Sequence, residues 1–401
     1  MYIWAIIRLF RNKEDKRRIL ERFAISTQKR PTGKIIWFHA ASVGESLALL
    51  SLITKLCNET RNKLLITTYT KTSAKIVKEK FPSQVIHQYL PYDSPLFAAK
   101  FIKKWQPNLV VWTESDFWPN MLNLLSKSHK IILLNARMSD RSFQRWQKYP
   151  SFISFILNLF SKIIPQSSTD LEKIRACGGK NIEYIGNLKY STNIRLLEQE
   201  LIDKIEHQIK MRTIIFVAST HDNEEELILK QLKELITINP KVLIFLAPRH
   251  PLRTAEVIKT INKLEFQFKQ RTLTTKIEKS TQIYLIDTLG EMNSFFSLSQ
   301  ITIIGGSFVN IGGHNIIEPA KFGNIIITGP YTSNFQQVVY EFTKAEAAIQ
   351  IKAPDELPNL INTLINSPKV ASTYRSKAQK LAFAYEEILP KTFNFILKQL
   401  D

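Results

Sequence analysis

The feature that most restricts this chain is a rhythm that runs through it twice. From Lys34 onward, short apolar runs rich in Ile, Val and Leu alternate with segments of helical periodicity. Runs at Ile35–His39, Leu64–Thr68, Val85–Tyr89, Leu109–Trp112 and Ile131–Leu134 are each followed by a helix-like segment, and a later pair, Ile163–Pro165 and Ile182–Ile185, flanks the helix-like Thr169–Cys177. After about residue 211 the pattern resumes, with Ile214–Ala218, Val242–Ala247, Ile283–Ile286, Ile301–Ile304 and Ile325–Thr328. Strand–helix alternation of this kind predicts parallel sheets covered by helices on both faces. Two doubly wound sheets in tandem follow, with a boundary in the polar stretch Leu188 to Lys210. In such sheets the functional groups lie at the carboxyl ends of the strands, and that rule selects the polar residues worth weighing.

The densest signal is ITIIGGSFVNIGGHNIIEPAKFGNIIITGP, residues 301–330. It predicts a strand, a loop holding four of the chain's 12 glycines between Gly305 and Gly313, a brief helix around Ile316 to Phe322, and another strand. Glycines there let backbone N–H groups approach an anion, so a phosphate is expected on the Gly305-Gly306-Ser307 turn. Asn315 and Glu318 have the spacing of a capping box. Glu318 therefore reads either as a helix cap or as an acceptor for the hydroxyls of a ribose.

In the first half, Ile35–His39 runs into Ala40-Ala41-Ser42-Val43-Gly44-Glu45. Ser42 and Glu45 form an S-x-x-E cap, worth about 1 kcal/mol. At a strand mouth the same carboxylate is placed to act as a general base. Leu109–Trp112 runs into Thr113-Glu114-Ser115-Asp116-Phe117-Trp118-Pro119-Asn120, where Glu114 is the second candidate carboxylate. Arg137, Arg141, Arg145 and Lys148 mix with Phe143, Trp146, Tyr149, Phe152, Phe155 and Phe160; this segment suits a lipid or phosphorylated sugar, or ordinary core packing. Lys189 stands in GNLKY, at the close of this half. In the second half, Arg249 in APRHP could hold a phosphate. Glu224-Glu225-Glu226 suits a helix dipole without further explanation.

Charge is divided unevenly. Residues 1–190 hold 31 Lys and Arg against 13 Asp and Glu, and residues 191–401 hold 24 against 22. A basic first half implies an anionic partner: a membrane surface, a phosphorylated acceptor or nucleic acid. Met1 to Phe10 is apolar but too short to span a bilayer. With the basic run RNKEDKRRILERF behind it, the segment reads as an interfacial anchor or as a helix docked on the core. Cys57 and Cys177 provide neither a disulfide framework nor a metal cluster. His314 and Glu318 have i, i+4 spacing but lack a third ligand, so no metal is expected.

HAASVGE (39–45), TESDFWPN (113–120), GNLKY (186–190), ASTH (218–221), APRHP (247–251), DTLGE (287–291) and GGHNIIEPA (312–320) together resemble the 3-deoxy-D-manno-octulosonic acid (Kdo) transferase family of lipopolysaccharide biosynthesis, in order and over almost the whole chain. The resemblance implies a GT-B fold, two doubly wound Rossmann-like domains facing a central cleft. It also implies transfer of Kdo from CMP-Kdo to a lipid A precursor (lipid IVA), with inversion and without metal or other cofactor. Residues 1–30 would form a membrane-associating segment, 31–190 the acceptor domain and 191–401 the CMP-Kdo domain, with a C-terminal helix crossing back to the first. By motif, Glu45 would be the catalytic base, and Glu114 and Lys189 would assist the transition state. Pro248, Arg249, Leu289, Gly290, Glu291, Asn315, Ile316, Ile317 and Glu318 would line the CMP pocket. The location implied is the cytoplasmic face of the inner membrane of a Gram-negative bacterium, against an anionic membrane surface and without nucleic acid. Two departures stand out: family members usually carry a longer apolar anchor than Met1–Phe10, and Ile316-Ile317 replaces a frequent Pro-Leu. The rival readings are a GT-B sugar-nucleotide epimerase, which would not need the basic half, and a nucleic-acid-binding protein, which would interleave aromatics with Lys and Arg along an exposed strand surface.

Overall fold

A computed structural model of the chain describes residues 14–190 and 197–400. The stretch Met1–Phe10 lies outside them. The chain divides into two compact units, one comprising residues up to 192 together with 386 onward, the other residues 193–385.

The first unit holds six strands: β1 (Ile35–His39), β2 (Lys63–Thr68), β3 (Ile86–Tyr89), β4 (Leu109–Thr113), β5 (Ile131–Ala136) and β6 (Lys162–Pro165). They pair in parallel in the order β3-β2-β1-β4-β5-β6. The order turns between β1 and β4, and the crevice beside that turn is where doubly wound sheets place their ligands. Helices beginning at Val43, Lys71, Pro95, Asp140 and Ser168 each start behind a Ser or Thr whose hydroxyl accepts a backbone N–H. Helix Ile388–Leu400 belongs to this unit, where Lys55 Nζ sits 4.9 Å over the Phe393 ring and Lys130 Nζ donates to the Gln399 carbonyl at 3.2 Å.

The second unit holds β7 (Thr213–Thr220), β8 (Val242–Pro248), β9 (Phe268–Gln270), β10 (Ile283–Leu285), β11 (Ile301–Ile304), β12 (Ile325–Thr328) and β13 (Ile349–Gln350), ordered β13-β12-β11-β7-β8-β10-β9 and parallel throughout. Its turning point lies between β7 and β11. Ile215, Val217, Ile244 and Leu246 enter one core, and Ile214, Phe216, Leu243 and Phe245 enter another. Successive residues of a strand point to opposite faces, and here both faces are covered. The strands consequently read as unbroken apolar runs rather than as alternation.

Several expectations change. Ile182–Ile185 is not a strand: the chain makes a single parallel bridge, Ile182 to Ile163, and leaves at Gly186, whose φ of +116° turns it away. β9 and β13 carried no apolar run, because edge strands of three and two residues, FKQ and IQ, bury too little to show one. The basic run behind Met1–Phe10 is partly core. Arg22 is buried and donates to Glu14 at 3.0 Å and to the Leu90 carbonyl at 2.9 Å, while Arg18 holds Glu21 at 2.8 Å. Those two guanidinium groups are committed inside the protein rather than to lipid. Among the described residues, no helix is long and apolar enough to cross a membrane.

Candidate functional site

In the first unit the strand exits on either side of the turning point carry the two candidate acids. Glu45 opens the helix after β1. The Ser42 hydroxyl accepts its N–H at 3.2 Å, and Glu45 Oε2 accepts from Ala41 N at 2.7 Å and lies 3.3 Å from Thr113 Oγ1, whose proton goes to His39 O at 2.5 Å. Its side chain thus caps the helix start and is also oriented by the end of β4. Glu114 follows Thr113 in a left-handed conformation, φ +58°, with its N–H donated to Leu134 O at 3.0 Å. A non-glycine residue there is uncommon and costs backbone strain, a frequent mark of sites. Burial, and next the Glu45 carboxylate, push Glu114 up to about 7, against the opposing pull of Arg137 and Lys189. The rest of the motif has structural employment: Trp112 Nε1 donates to Asp116 O at 2.6 Å, Trp118 Nε1 to Asp116 Oδ2 at 2.9 Å, and Pro119 starts a helix.

Lys189 is exposed on a single 3-10 turn, Leu188–Tyr190, anchored from two other strand exits. Asn135, at the end of β5, donates to Asn187 Oδ1 at 2.9 Å and accepts from Leu188 N at 2.9 Å; Asn187 in turn donates to Gln166, just past β6, at 3.2 Å. The structure therefore gathers Glu45, Glu114 and Lys189 at one edge of one sheet. It adds Arg137, Asn135 and Asn187, whose roles no local spacing announced.

The second unit brings the other predicted residues to the carboxyl edge of its sheet, in different states of availability. Arg249 is exposed just past β8, with its N–H bound to Thr220 O at 2.9 Å; Pro248 is buried at the end of that strand. Leu289 and Gly290 are exposed beyond β10. Glu291 is not a free carboxylate, since Arg271 Nη2 donates to it at 2.6 Å and Thr288 Oγ1 also binds it. Ile316 and Ile317 are fully buried, and the Ile317 N–H is held by Asn315 Oδ1 at 3.0 Å. Asn315 Nδ2 also donates to Glu318 Oε1 at 3.2 Å, an oriented pair in place of the reciprocal capping box.

The phosphate expected on the Gly305-Gly306-Ser307 turn has been forestalled by the chain itself. Gly306 N donates to Glu224 Oε2 at 2.6 Å, Ser307 N and Phe308 N donate to Oε1 at 3.1 and 2.9 Å, and His221 N donates to Oε2 at 3.1 Å. The Gly305 N–H goes to Ala218 O at 2.7 Å. A cluster of aligned N–H groups is an anion nest, and Glu224, wholly buried, fills it. Glu224 is therefore far more than a dipole complement at a helix start.

Above that loop stand three histidines. His221 Nε2 lies 2.8 Å from His314 Nε2, and the His250 ring centroid lies 6.0 Å from that of His221. Burial, His221, Arg249 and His250 lower His314 to about 4, and burial, His250 and Arg253 lower His221 as well. Separated by 93 positions, His221 and His314 gave no spacing signal; only their shared place at strand exits hinted at the pairing. Among the described residues, no three His, Cys, Asp or Glu side chains converge as metal ligands.

The fold matches that of solved structures of low sequence identity. A glycosyltransferase from Rickettsia africae ESF-5 superposes with a TM-score of 0.54 at 14% identity, covering 92% of this chain and 99% of that one. A UDP-GlcNAc 2-epimerase from Neisseria meningitidis bound to UDP-GlcNAc superposes at 0.55 with 10% identity, covering 91% and 100%. These likenesses show a GT-B architecture and do not choose between transferase and epimerase. Sequence does choose. The family model described as "3-Deoxy-D-manno-octulosonic-acid transferase (kdotransferase)" matches residues 17–192. The 3-deoxy-D-manno-octulosonic acid transferase of Rickettsia bellii (strain RML369-C) is 36% identical over 400 residues, 99% of this chain and 96% of that protein. With motif order, two-sheet architecture and full-length similarity in agreement, the chain belongs to the 3-deoxy-D-manno-octulosonic acid transferase family.

Proposed function

We propose that this Kdo transferase moves Kdo from CMP-Kdo to a lipid A precursor by a single inverting displacement in which Glu45 is the general base. The observation that carries the reading is the carboxyl pair at the turning point of the first sheet. Glu45 Oε2 is held by Ala41 N, with Thr113 Oγ1 at its side, which leaves Oε1 for the acceptor hydroxyl. Glu45 removes that proton, and the oxygen attacks the anomeric carbon as the bond to the CMP phosphate breaks. Glu114, raised to about 7 by burial and by Glu45, keeps its proton below that pH, well above the usual glutamate range. Held in that form, it spares Glu45 a second negative neighbour and offers a hydrogen bond to substrate. Lys189 supplies positive charge beside both.

The donor belongs to the second unit, with Arg249 on the phosphate and the Asn315–Glu318 pair on the ribose. Glu291 acts there as a brace on Arg271, and Leu289-Gly290 contact the nucleotide. An anionic lipid acceptor and membrane surface suit the first unit. Tyr149, just before helix Pro150–Leu157, and Phe152 and Phe155 on it are exposed, directly after Arg141, Arg145 and Lys148. Aromatic side chains beside cations are the composition of a membrane-interface contact. A cavity of about 940 Å³ in the same unit is lined by Lys71, Lys75 and Lys78 together with Val77 and Phe81. Activity at the cytoplasmic face of the inner membrane follows from such an acceptor.

The test is transfer from labelled CMP-Kdo to lipid A precursor, with products resolved by mass. The unmodified chain should add Kdo. Glu45→Gln should lose about 1,000-fold in rate, within the range for a general base, with CMP affinity preserved. Retained transfer in Glu45→Gln, or loss of CMP binding together with transfer, would refute the assignment.

A further inference from the structure

The mechanism above leaves His221 and His314 without a task, although the loops are shaped to join them. Their rings lie parallel within 5°, with centroids 5.0 Å apart and Nε2 atoms 2.8 Å apart. Gly306 lies against both. A Cβ there would approach His221 Cδ2 and His314 Nε2 to 3.3 Å, and its φ of +67° disfavours any side chain. An N···N contact of 2.8 Å admits one proton on its line, so one ring donates and the other accepts. One further proton on the donor ring's Nδ1 leaves that bond intact. A second would set two N–H groups against each other. The pair is thus a store for a single proton, loaded and unloaded at Nδ1.

The surroundings set when it loads. Arg249 and His250 face it from the end of β8, and Arg253 from the turn beyond. Glu225, from the helix after β7, is engaged with Arg253 at 2.9 Å and Thr220 at 2.8 Å, and Glu224 is consumed in the nest below. Burial and the cations keep both imidazoles below the usual histidine range, which makes the empty pair neutral near pH 7. An anion arriving beside it opposes those cations and raises its proton affinity.

We propose that the His221–His314 pair binds a proton when the donor's phosphate enters and gives that proton to the phosphate oxygen leaving the anomeric carbon. In the step, the anomeric C–O bond breaks, its electron pair goes to the phosphate oxygen, an imidazole Nδ1–H bond breaks and an O–H bond forms. CMP departs one charge less negative than it otherwise would, and solvent reprotonates the pair when the next donor binds. The proposal rests on the donor assignment to this unit, and its test separates the two.

CMP binding is measured by calorimetry at pH 7.5 in two buffers of different ionisation enthalpy, which yields the protons taken up per CMP. The unmodified chain should take up a substantial fraction of a proton, and His314→Gln and His221→Gln should each take up less than the unmodified chain. In steady-state transfer, both variants should lose about 100-fold in kcat, as for a removed general acid, while KM for CMP-Kdo stays within about three-fold. Binding without proton uptake by the unmodified chain overturns the proton-store reading alone, with no variant needed. So does uptake unchanged in both variants. Failure of the unmodified chain to bind CMP overturns the donor assignment and this inference with it.

Discussion

The two sheets are both parallel, each reverses strand order beside its first strand, and they carry different chemistry at that address. In the first, the exits beside the turning point present carboxyl groups, and the helix after β1 is capped at its start by Ser42. In the second, the exits present imidazole and guanidinium groups, and the helices after β7, β8 and β11 begin without a side-chain cap. Glu224, one of the acids there, is turned inward to satisfy the glycine loop. Topology thus supplies a place for a ligand, and the local hydrogen-bond economy decides which charges remain to meet it. A capped helix start leaves Glu45 orientable; an uncapped loop consumes Glu224.

The sharpest way to break this comparison is to truncate both acids. Glu224→Ala strands four backbone donors that now bind its carboxylate. Even with partial rescue by water, the expected loss of unfolding free energy is about 3 kcal/mol, read by denaturant titration, and CMP affinity should fall with it. Glu45→Ala should cost about 1 kcal/mol, the scale of a cap, while transfer collapses. Equal stability losses at the two positions would erase the distinction between a buried brace and an oriented base.

A smaller effect sharpens the first site. Because its folded pKa is raised, Glu114 retains a proton between the usual glutamate range and about 7 that the unfolded chain has released. The folded state binds more protons in that window, so stability contributed by the neutral acid is present at low pH and falls as pH rises toward 7. Glu114→Gln removes the loss. Its melting temperature should exceed that of the unmodified chain by a few degrees at pH 8 and match it near pH 4, while transfer slows. A pH-independent difference would show that Glu114 is not the titrating group.

Sequence and structure agree best where burial writes directly into composition. β1, β4 and β11 are buried throughout and were readable to within a residue, because a strand covered on both faces has to be apolar at every position. The positions of Glu45, Glu114 and Arg249 followed from the same runs, since each stands where a run ends. Availability was not readable. Whether Glu291 is free or bound to Arg271, and whether the Gly305 loop awaits a phosphate or already holds Glu224, depends on contacts spanning 20 and 82 to 84 positions. Ile316-Ile317 shows the same gap: the motif puts this dipeptide beside the nucleotide, and only packing shows that both side chains are buried.

The smallest expected effect contrasts two glycines that stand beside the two sites. A Cβ on Gly44 would meet only Ser42 Oγ, at 3.9 Å, and its backbone is helical, so Gly44→Ala should stabilise the first unit by about 0.5 kcal/mol through helix propensity. Gly306 has the reverse setting. Its left-handed φ charges any L side chain about 1 kcal/mol, and a methyl group would press on both imidazoles at 3.3 Å. Rings that must part by a few tenths of an ångström stretch and weaken a 2.8 Å contact. Gly306→Ala should therefore lower the melting temperature slightly, reduce proton uptake on CMP binding and leave the first unit's acids untouched. If Gly306→Ala matched Gly44→Ala in stability and kept full proton uptake, the close seating of His221 on His314 would have no functional weight, and the contrast between the two sheet edges would reduce to Glu224 alone.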